Sequence, residues 1–412
     1  MITGASASFV FLVILRGFVS KSPPVFRVIA MSHIFLTPRR VITGIGSFND
    51  LGAEAARLAR SVLVVTGRHA MRAAGITQRA ERILRDAGVA VHLFEDAPPE
   101  PDTPAVDRAR AARSTCGAEA VIGIGGGSAL DVAKAAAALA NETAPTDDFL
   151  AGRAIAAPGV PLIAVPTTAG TGTEATLNAV LTDSAGKMKK SIRHESLLPA
   201  AAIVDAELTV TCPPDVTAWS GMDALTQAIE SFISVGATPV TEPLSLQGVK
   251  LLSRHMERAV VDGRDLAARD GCACGSLVTG IAFATARLGV VHGLAHPIGV
   301  RYHVPHGLVC GVLLRHALRL NRPVIGAKYG ELCQAAGGDI IDFVTDLGPR
   351  IGLPPDLSSY GLRPGGFPAI IAESMPSGSL KSNPKKITED DMRWLLDNAT
   401  GSVPRKQWTS AE

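Results

Sequence analysis

The sequence predicts an α/β domain followed by an all-helical domain. At 412 residues the chain exceeds the size at which one hydrophobic core usually keeps growing, so two domains are expected. Between residues 40 and 210, short β-branched runs alternate with Ala-rich helical stretches, which is typical of an α/β domain. After residue 215, Ala, Leu and Gly recur at helical spacing. We therefore expect an α/β domain over 31–212 and a helical domain over 213–412, with Pro213 and Pro214 at the boundary.

Individual segments support this division in chain order. "SVLVVTG" at 61–67 is typical of a buried strand, and "AVIGIGGGS" predicts a second strand that runs into glycines. "AAIVDAEL" at 201–208 predicts the last strand of the α/β domain. Near the C-terminus, Thr388 precedes a helical pattern and Asp391 occupies the capping-box position, so a capped terminal helix is expected there.

Residues 1–30 are predicted to lie outside the fold. Their apolar run "ASFVFLVILRGFV" contains Arg16 and is too short to span a bilayer comfortably. Its length is similar to that of a signal-peptide core, but a charged n-region and a clear cleavage site are missing. Met31 stands just ahead of "SHIFLTPRRVITGIGS", where the folded pattern begins. We interpret 1–30 as an extension of the kind that an upstream start codon adds.

Composition and charge favour a small-molecule partner. The chain is 47% apolar and 19% charged, with a net charge of +2, so it has no large field to attract nucleic acid or an acidic membrane surface. Aromatic residues make up 4% and are scattered, which offers no stacking platform for single-stranded nucleic acid. The six cysteines form no CxxC pair, as is common for reduced thiols, so a cytoplasmic location is expected. A homodimer is left open.

A glycine-rich turn follows the predicted strand "AVIGIG". Gly125, Gly126, Gly127 and Ser128 lie between that strand and a helix, where backbone amides can approach a pyrophosphate and the helix dipole favours negative charge. The turn matches neither GxGxxG nor a Walker motif, and such a turn is often only a tight connection. Phosphate binding and a purely structural turn are both compatible with it.

A second loop, "PTTAGTGTEAT", is rich in hydroxyl groups. Five threonines and two glycines follow a predicted strand, which suits a wall for ribose and phosphate better than a structural loop. The threonines are Thr167, Thr168, Thr171, Thr173 and Thr176.

Histidines are concentrated in "VHGLAHPIGVRYHVPHG". His292 and His296 are four residues apart and share a face of a helix that Pro297 and Gly299 are expected to break. The chain could then bend back and bring His306 to the same place. A single buried histidine is usually a core residue, but four of the ten histidines lie within fifteen residues. This density suggests a metal site or a proton relay.

Asp223 and Gln227 in "SGMDALTQAIESF" are also four residues apart on a predicted helix, so both side chains project from one face. A carboxylate and an amide in this arrangement can belong to a binding site. They can equally hydrogen-bond to each other on an ordinary helix surface.

Four motifs, "GGGSALDVAK", "PTTAGTGTEAT", "GMDALTQAIE" and "VHGLAHPIG…VPHG", occur in an order that resembles the iron-containing (group III) alcohol dehydrogenase family. This family shares its fold with glycerol dehydrogenase and dehydroquinate synthase, and the resemblance runs from about Val41 to the C-terminus. It implies a Rossmann-like nicotinamide-binding domain, a helical domain and a cleft between them. It also implies a divalent metal held by an Asp and a His on one helix and by two further histidines.

Carried over residue by residue, the resemblance makes Asp223, His292 and His306 metal ligands and makes His296 the non-ligand histidine near the substrate. Gln227 stands where the family usually has its fourth ligand, a histidine. Its amide oxygen is a poorer donor to Fe²⁺ or Zn²⁺ than imidazole. A retained but weakened metal is favoured, and a site without metal, in which Gln227 orders Asp223 or a water, stays open.

The resemblance further implies NAD or NADP as cofactor. The expected cofactor-binding residues are Gly125, Gly126, Gly127, Ser128, Asp131, Thr167, Thr168, Thr176 and Lys189. Gly67 ends the first predicted strand where members that prefer NAD often have Asp, and Arg68 follows it. Without a carboxylate to repel a 2′-phosphate, NADP should be accepted.

The predicted function is interconversion of a small alcohol and its aldehyde or ketone by an NAD- or NADP-dependent oxidoreductase, with a divalent metal polarising the oxygen. His296 is the expected proton relay, because the reference pKa of histidine, about 6.5, lies near working pH. Three alternatives stay open: a metal-free reductase of activated carbonyls, a lyase similar to dehydroquinate synthase, and a binding protein whose chemistry was lost through Gln227.

Overall fold

Eight strands form a six-stranded parallel sheet and a separate hairpin in the computed structural model, which describes residues 34–183 and 189–401. The described residues from 35 onward belong to one compact unit. The predicted extension 1–30 lies outside the described residues. The strands are β1 (Arg40–Thr43), β2 (Ser61–Gly67), β3 (Ala90–Ala97), β4 (Ala120–Gly125), β5 (Leu162–Pro166), β6 (Asn178–Thr182), β7 (Lys189–Arg193) and β8 (Ala201–Val204).

The large sheet has the order β1-β8-β5-β4-β2-β3. From β2 the chain crosses to β3 on one side and then returns to β4 on the other side, so the direction of winding reverses between β2 and β4. In open α/β sheets, ligands bind beyond the carboxyl ends of the strands at such a reversal. Gly67 and Gly125 are the last residues of these two strands, and the glycine-rich turn therefore lies where a cofactor is expected.

The strands β6 and β7 form an antiparallel hairpin that the sequence pattern did not predict. They pair from Asn178 opposite Arg193 to Thr182 opposite Lys189. Side chains alternate between the two faces of a strand, so Lys189, Ser191 and Arg193 share one face of β7. That face borders the cavity described below.

Helices cover the sheet and form nearly all of the chain after it. Those of the sheet region are α1 (Leu51–Leu58), α2 (Ala70–Ala73), α3 (Ile76–Asp86), α4 (Thr103–Cys116), α5 (Gly127–Ala138) and α6 (Thr146–Leu150). Those after residue 213 are α7 (Pro214–Ile233), α8 (Thr241–Val261), α9 (Leu266–Ala286), α10 (Val290–Tyr302), α11 (His306–Ile325), α12 (Ala327–Ala336), α13 (Ile340–Arg350), α14 (Phe367–Ser374), α15 (Gly378–Ser382) and α16 (Glu389–Ala399). The predicted fold class is confirmed, and the division into two domains stays a prediction.

Three large hydrophobic clusters hold these elements together. Alternate residues of each central strand point to opposite faces of the sheet: Val62 and Val64 belong to one cluster, and Leu63 and Val65 to another. The largest cluster lies among the helices after residue 213 and includes Met222, Leu225 and Ile229 of α7. Helix α7 is buried along most of its length, so polar side chains on it are held inside the protein.

The histidine segment differs from its prediction at Pro297. Helix α10 continues through Pro297 and Gly299 to Tyr302. The proline removes one backbone donor, but Leu294 and Ile298 on either side of it are fully buried, and their packing keeps the helix intact. The chain bends instead at His303, whose backbone is left-handed with φ 53°. This turn, followed by Pro305 as N-cap of α11, places His306 at the start of the next helix.

Within the described residues no single helix has both the length and the apolar character needed to cross a bilayer. The bent pair Leu266–Ala286 and Val290–Tyr302 meets those criteria only when its two helices are taken together.

Candidate active site

One cavity of about 360 Å³ brings together most of the predicted site residues. The start of α5 and the hairpin β6–β7 contribute to its wall, as do helices α7, α10 and α11. The predicted site residues that line this cavity are Gly127, Ser128, Asp131, Thr176, Lys189, Asp223, Gln227, His292, His296 and His306.

The close approach of α7 and α11 builds one end of this cavity. A β-carbon on Gly307 would lie 2.0 Å from the carbonyl oxygen of Trp219 in α7, a distance too short for any side-chain atom. Glycine at this position therefore lets the two helices touch. As a result His306, the first residue of α11, lies beside Asp223, the residue one turn after Trp219.

Four donor atoms meet at this contact. The Oδ1 atom of Asp223 is 3.1 Å from Nε2 of His292 and 3.7 Å from Nε2 of His306. Sγ of Cys310 is 3.7 Å from Nε2 of His306. The ligand atoms of all four residues lie within 4.8 Å of one another, and Asp223, His292 and Cys310 are buried. Three of the predicted ligands are thus joined by a cysteine that the sequence analysis did not single out.

Glu230 orients His292. Its Oε2 atom accepts a hydrogen bond from Nδ1 of His292 at 2.7 Å and another from the backbone of Gly289 at 2.9 Å, while Oε1 accepts one from the backbone of Val291 at 2.7 Å. The carboxylate therefore fixes both the start of α10 and the imidazole ring. With Nδ1 engaged in this way, Nε2 faces Asp223, which is the arrangement typical of a histidine that binds a metal.

The protonation of the cluster reflects the carboxylates within it. Burial lowers the pKa of His292, but hydrogen bonds to Asp223 and Glu230 outweigh it and raise the pKa to about 9. Burial lowers the pKa of His306 to about 4, although the charge of Asp223 opposes this. Burial, together with the negative charges of Asp223 and Glu230, raises the pKa of Cys310 well above its usual value. A divalent cation would take the place of the proton on Nε2 of His292 and favour the ionised thiol.

The donor chemistry fits a divalent transition metal. A carboxylate and two imidazoles form a set that suits Fe²⁺ or Zn²⁺, and a thiolate adds preference for Zn²⁺. Gln227 supplies independent support, because its Oε1 atom is buried without a hydrogen-bond partner among the described residues. A buried amide oxygen without a partner is costly, and a ligand in the cavity would provide one.

His296 lies beside the cluster without belonging to it. Its ring stacks on that of His306, with centroids 4.9 Å apart, and its Nδ1 atom has no hydrogen-bond partner within the described chain. Burial, followed by the charges of His306 and His292, lowers the pKa of His296 well below its usual value. The sequence-based reason for its role, a pKa near working pH, is therefore wrong. If His296 moves protons, it does so as a neutral imidazole, which donates from one nitrogen and accepts at the other.

The start of α5 fits a phosphate. Gly126 is its N-cap and no side chain caps the helix, so the first amides remain available to a ligand. A β-carbon on Gly127 would lie 2.7 Å from Cγ2 of Thr171, which shows how closely the threonine loop covers this turn. Ser128 and Thr171 both line the cavity.

Lys134, which the sequence analysis overlooked, holds the threonine loop in place. The side chain is fully buried, and its Nζ atom donates to the carbonyl oxygen of Thr173 at 2.7 Å and to Oγ1 of Thr176 at 2.8 Å. Asp131 accepts a hydrogen bond from Oγ1 of Thr173 at 2.7 Å and one from the backbone of Val180 at 3.1 Å. Asp131, predicted to bind cofactor, thus also ties α5 to the loop and to β6.

Four predicted cofactor residues lie next to the cavity without lining it. They are Gly125, Gly126, Thr167 and Thr168. Gly125 accepts a backbone hydrogen bond from Thr167 at 3.0 Å, and a β-carbon on Gly126 would be 3.5 Å from Thr168. Gly125 and Gly126 belong to the turn itself, and Thr167 and Thr168 contact it. Direct contact of the four residues with a cofactor stays a prediction.

The missed residues have a signal in the sequence. Cys310 follows His306 by four residues, and Glu230 follows Asp223 by seven, so each shares a helix face with a predicted ligand. The helix period therefore marks both as candidates, but only the contact between α7 and α11 brings Cys310 to the cluster.

Comparisons with known proteins agree with this architecture. Two protein-family models match the chain. The family model for "Iron-containing alcohol dehydrogenase" matches residues 38–206, and the family model for "Fe-containing alcohol dehydrogenase family, C-terminal" matches residues 217–400. The NAD-dependent methanol dehydrogenase of Bacillus methanolicus is 30% identical over 382 residues, which are 90% of this chain and all of that protein.

Two solved structures are similar along nearly the whole chain. A 1,3-propanediol oxidoreductase has a TM-score of 0.87 and 31% identity, covering 90% of this chain and 100% of its own. The sulfoacetaldehyde reductase of Bifidobacterium kashiwanohense, solved in complex with NAD⁺, has a TM-score of 0.84 and 31% identity with the same coverage.

Proposed function

Because the chain belongs to the iron-containing alcohol dehydrogenase family, we propose that it reduces short aldehydes with NADH in this cavity and oxidises the corresponding alcohols in the reverse direction. The relatives to which this chain is similar include an NAD-dependent dehydrogenase and a reductase solved with NAD⁺. The observation that carries the proposal is the cluster of Asp223, His292 and His306 in the same cavity as the amides of the α5 turn.

The residues have separate tasks in this proposal. Asp223, His292 and His306 hold a divalent metal, and either Gln227 or Cys310 completes the set. Glu230 keeps Nε2 of His292 directed at Asp223. When both groups are bound, the metal polarises the carbonyl oxygen and the reduced nicotinamide supplies the hydride.

His296 is the residue we propose for proton delivery. It lies beside His306 and lines the cavity, and its Nδ1 atom has no hydrogen-bond partner among the residues that the structure describes. As a neutral imidazole it can pass a proton to the new alcohol oxygen from one nitrogen and recover a proton from water at the other. Without a metal, His296 and water alone would have to stabilise the developing negative charge, and reduction would be slow.

We also propose that NADP is accepted. Gly67 ends β2 without a carboxylate, and Arg68 follows it. The structure adds that Nε of Arg68 is 2.7 Å from Oδ1 of Asp96, which also pairs with Arg108 at 3.0 Å. Asp96 therefore competes with a 2′-phosphate for both guanidinium groups. Asp96→Asn should raise the ratio of kcat/KM for NADPH over NADH, and Arg68→Ala should lower it.

The test of the proposed function is steady turnover of NADH and NADPH by the purified chain with a panel of short aldehydes, together with metal analysis of the same preparation. The proposal predicts multiple turnovers and bound Fe²⁺ or Zn²⁺. Cofactor binding without any turnover would favour a binding protein. Release of an elimination product with no net change in NADH would favour the lyase alternative.

We also propose that the protein is cytoplasmic and forms a homodimer. All six cysteines are free thiols, which is the usual state in a reducing compartment. Light scattering on the purified chain measures the oligomeric state directly, and a monomer at micromolar concentration would exclude a stable dimer.

A further inference from the structure

Two arginine side chains border the same cavity as the histidine cluster. Arg193 comes from β7, and Arg287 follows the last residue of α9. Both line the cavity together with His292 and His296. Neither arginine belongs to the metal cluster or to the glycine turn, so the proposed mechanism leaves both unused.

The backbone of Arg287 is in a conformation that suits glycine. Its φ is 67° and its ψ is −175°, a combination that non-glycine residues rarely adopt. Neighbouring contacts hold it there: the amide of Arg287 donates to Phe283 at 2.9 Å, and the amide of Gly289 donates to Glu230 at 2.9 Å. Glycine would adopt the same backbone conformation with less strain. Strain of this kind is concentrated at functional sites, which points to a use for the arginine side chain.

Among the described residues, no acidic side chain forms an ion pair with either arginine. Arg287 makes no side-chain hydrogen bond or ion pair with any other residue in the part of the chain that the structure describes, and Arg193 donates only to the carbonyl oxygen of Ala284. Burial, and after it the positive charge of Arg287, lowers the pKa of Arg193. Both side chains line one cavity, so an anion bound in that cavity would offset their positive charges.

The acidic side chains that line the cavity have other partners. Glu100 is paired with Lys189. Asp131 accepts hydrogen bonds from Thr173 and Val180, and Asp223 contacts His292. No carboxylate that lines the cavity is thus left to pair with the two arginines, and because both arginines are exposed to solvent, an anionic ligand in the cavity can reach them.

We infer that the preferred substrate carries an anionic group at the end remote from its carbonyl, and that Arg287 and Arg193 bind this group. The substrate class is thus a short aldehyde with a terminal carboxylate or sulfonate, both of which match the planar, forked guanidinium. Phe283 and Leu288, which also line the cavity, would contact the carbon chain. This inference rests on the proposed function, because it places the carbonyl at the histidine cluster.

The first experiment compares two aldehydes of equal length, butanal and 4-oxobutanoate, in the parent chain and in Arg287→Gly, Arg193→Gln and the control Arg254→Gln. Arg254 is exposed on α8 and does not line the cavity. The parent should prefer 4-oxobutanoate. Either cavity variant should lower kcat/KM for it by about 10- to 100-fold, mainly through KM, while butanal turnover and the control stay within about two-fold of the parent. A terminal sulfonate in a further arm decides which oxyanion is preferred.

A second readout separates binding from folding and from the cofactor. Arg287→Gly removes backbone strain, so its thermal midpoint should equal or exceed that of the parent while use of the anionic aldehyde falls. The NADH dissociation constant should not change. An equal loss with both aldehydes, a matching loss of NADH affinity, or a parent without preference for 4-oxobutanoate would overturn the inference.

The third experiment does not depend on turnover. Calorimetry with NAD⁺ present compares butanoate with butanamide, which has the same length but no charge. The parent should bind butanoate more tightly, and Arg287→Gly should remove that difference. If no aldehyde is reduced but this preference is found, the proposed function fails and the anion site stands. Equal binding of the two compounds contradicts the anion site.

Discussion

Sγ of Cys310 lies 3.7 Å from Nε2 of His306, one helical turn back on α11. On α7, Asp223 and Gln227 are related by the same spacing. Each of the two helices therefore presents a strong donor, Asp223 or His306, and a second residue one turn later that can complete the metal site. Gln227 offers a neutral amide oxygen, and Cys310 offers sulfur.

Cobalt substitution identifies which of these residues binds the metal. If Cys310 is a ligand, the Co²⁺ protein should show a thiolate-to-cobalt charge-transfer band in the near ultraviolet, and Cys310→Ser should lose it while retaining the visible bands of the ion. Cys333→Ser, on α12 and outside the cluster, serves as control and should keep the band. A parent protein that binds cobalt without this band would exclude Cys310 and leave Gln227 as the fourth ligand.

Replacement of Gln227 by His should raise metal occupancy. The imidazole would occupy the same helical face four residues after Asp223, in place of an amide oxygen that has no partner within the described part of the chain. We expect at least a ten-fold lower metal dissociation constant, about 1.4 kcal/mol, measured by competition with a chelator. His292→Ala should abolish metal binding in either background. Tighter metal binding combined with lost turnover would instead show that Gln227 positions substrate or water.

Gly126→Val should block cofactor binding. Gly126 has φ −73°, which any residue can adopt, and a β-carbon there would make only an ordinary 3.5 Å contact with Thr168. The variant should therefore fold, while its larger side chain takes the space that a phosphate needs. We expect the NADH dissociation constant, measured by fluorescence titration, to rise more than ten-fold, about 1.4 kcal/mol. Gly126→Ala is the matched small substitution and should retain more affinity. Parent-like affinity in the valine variant would remove the turn from the cofactor site.

Glu174→Gln should change how stability depends on pH. Burial raises the pKa of Glu174 from 4.5 to about 7, although its own backbone amide and the charge of Lys134 oppose the shift. A raised carboxyl pKa means that the native state binds the proton more tightly than the unfolded state does. The contribution of protonated Glu174 to the free energy of unfolding is therefore full below pH 4.5 and is lost as the pH rises through 7. Relative to the parent, the glutamine variant should gain up to about 3 kcal/mol in unfolding free energy across that window.

Urea unfolding at a series of pH values measures this difference, and the exposed Glu331→Gln on α12 is the control that should follow the parent. A constant difference between the Glu174 variant and the parent from pH 4 to pH 8 would show that the buried carboxyl does not titrate there.

Local sequence patterns predicted the elements whose formation depends on residues close in the sequence. The run at 61–67 is β2 with the same bounds, because consecutive β-branched residues favour a buried strand. Thr388 and Asp391 form the predicted capping box, since a cap depends only on neighbouring backbone groups. Asp223, Gln227, His292 and His306 line one cavity as the resemblance implied.

The features that sequence reasoning missed depend on tertiary contacts. Helix α10 continues past Pro297 because buried neighbours compensate for the lost hydrogen bond. Cys310 joins the cluster only because Gly307 lets α11 touch α7. Burial, followed by the charges of His306 on α11 and His292 on α10, lowers the pKa of His296, and this burial depends on tertiary packing. No local pattern in a single sequence contains these distances.

We propose that carbonyl reduction depends on a metal held by Asp223, His292 and His306. The most direct test is NADH-dependent aldehyde reduction by the full chain before chelation, after removal of bound metal, and after return of Fe²⁺ or Zn²⁺, with His292→Ala in parallel. Turnover should fall at least about 100-fold on chelation, about 2.7 kcal/mol in activation free energy. It should return with the metal in the parent and should not return in His292→Ala. Turnover that survives both chelation of the parent and the His292→Ala substitution would show that reduction does not need the metal.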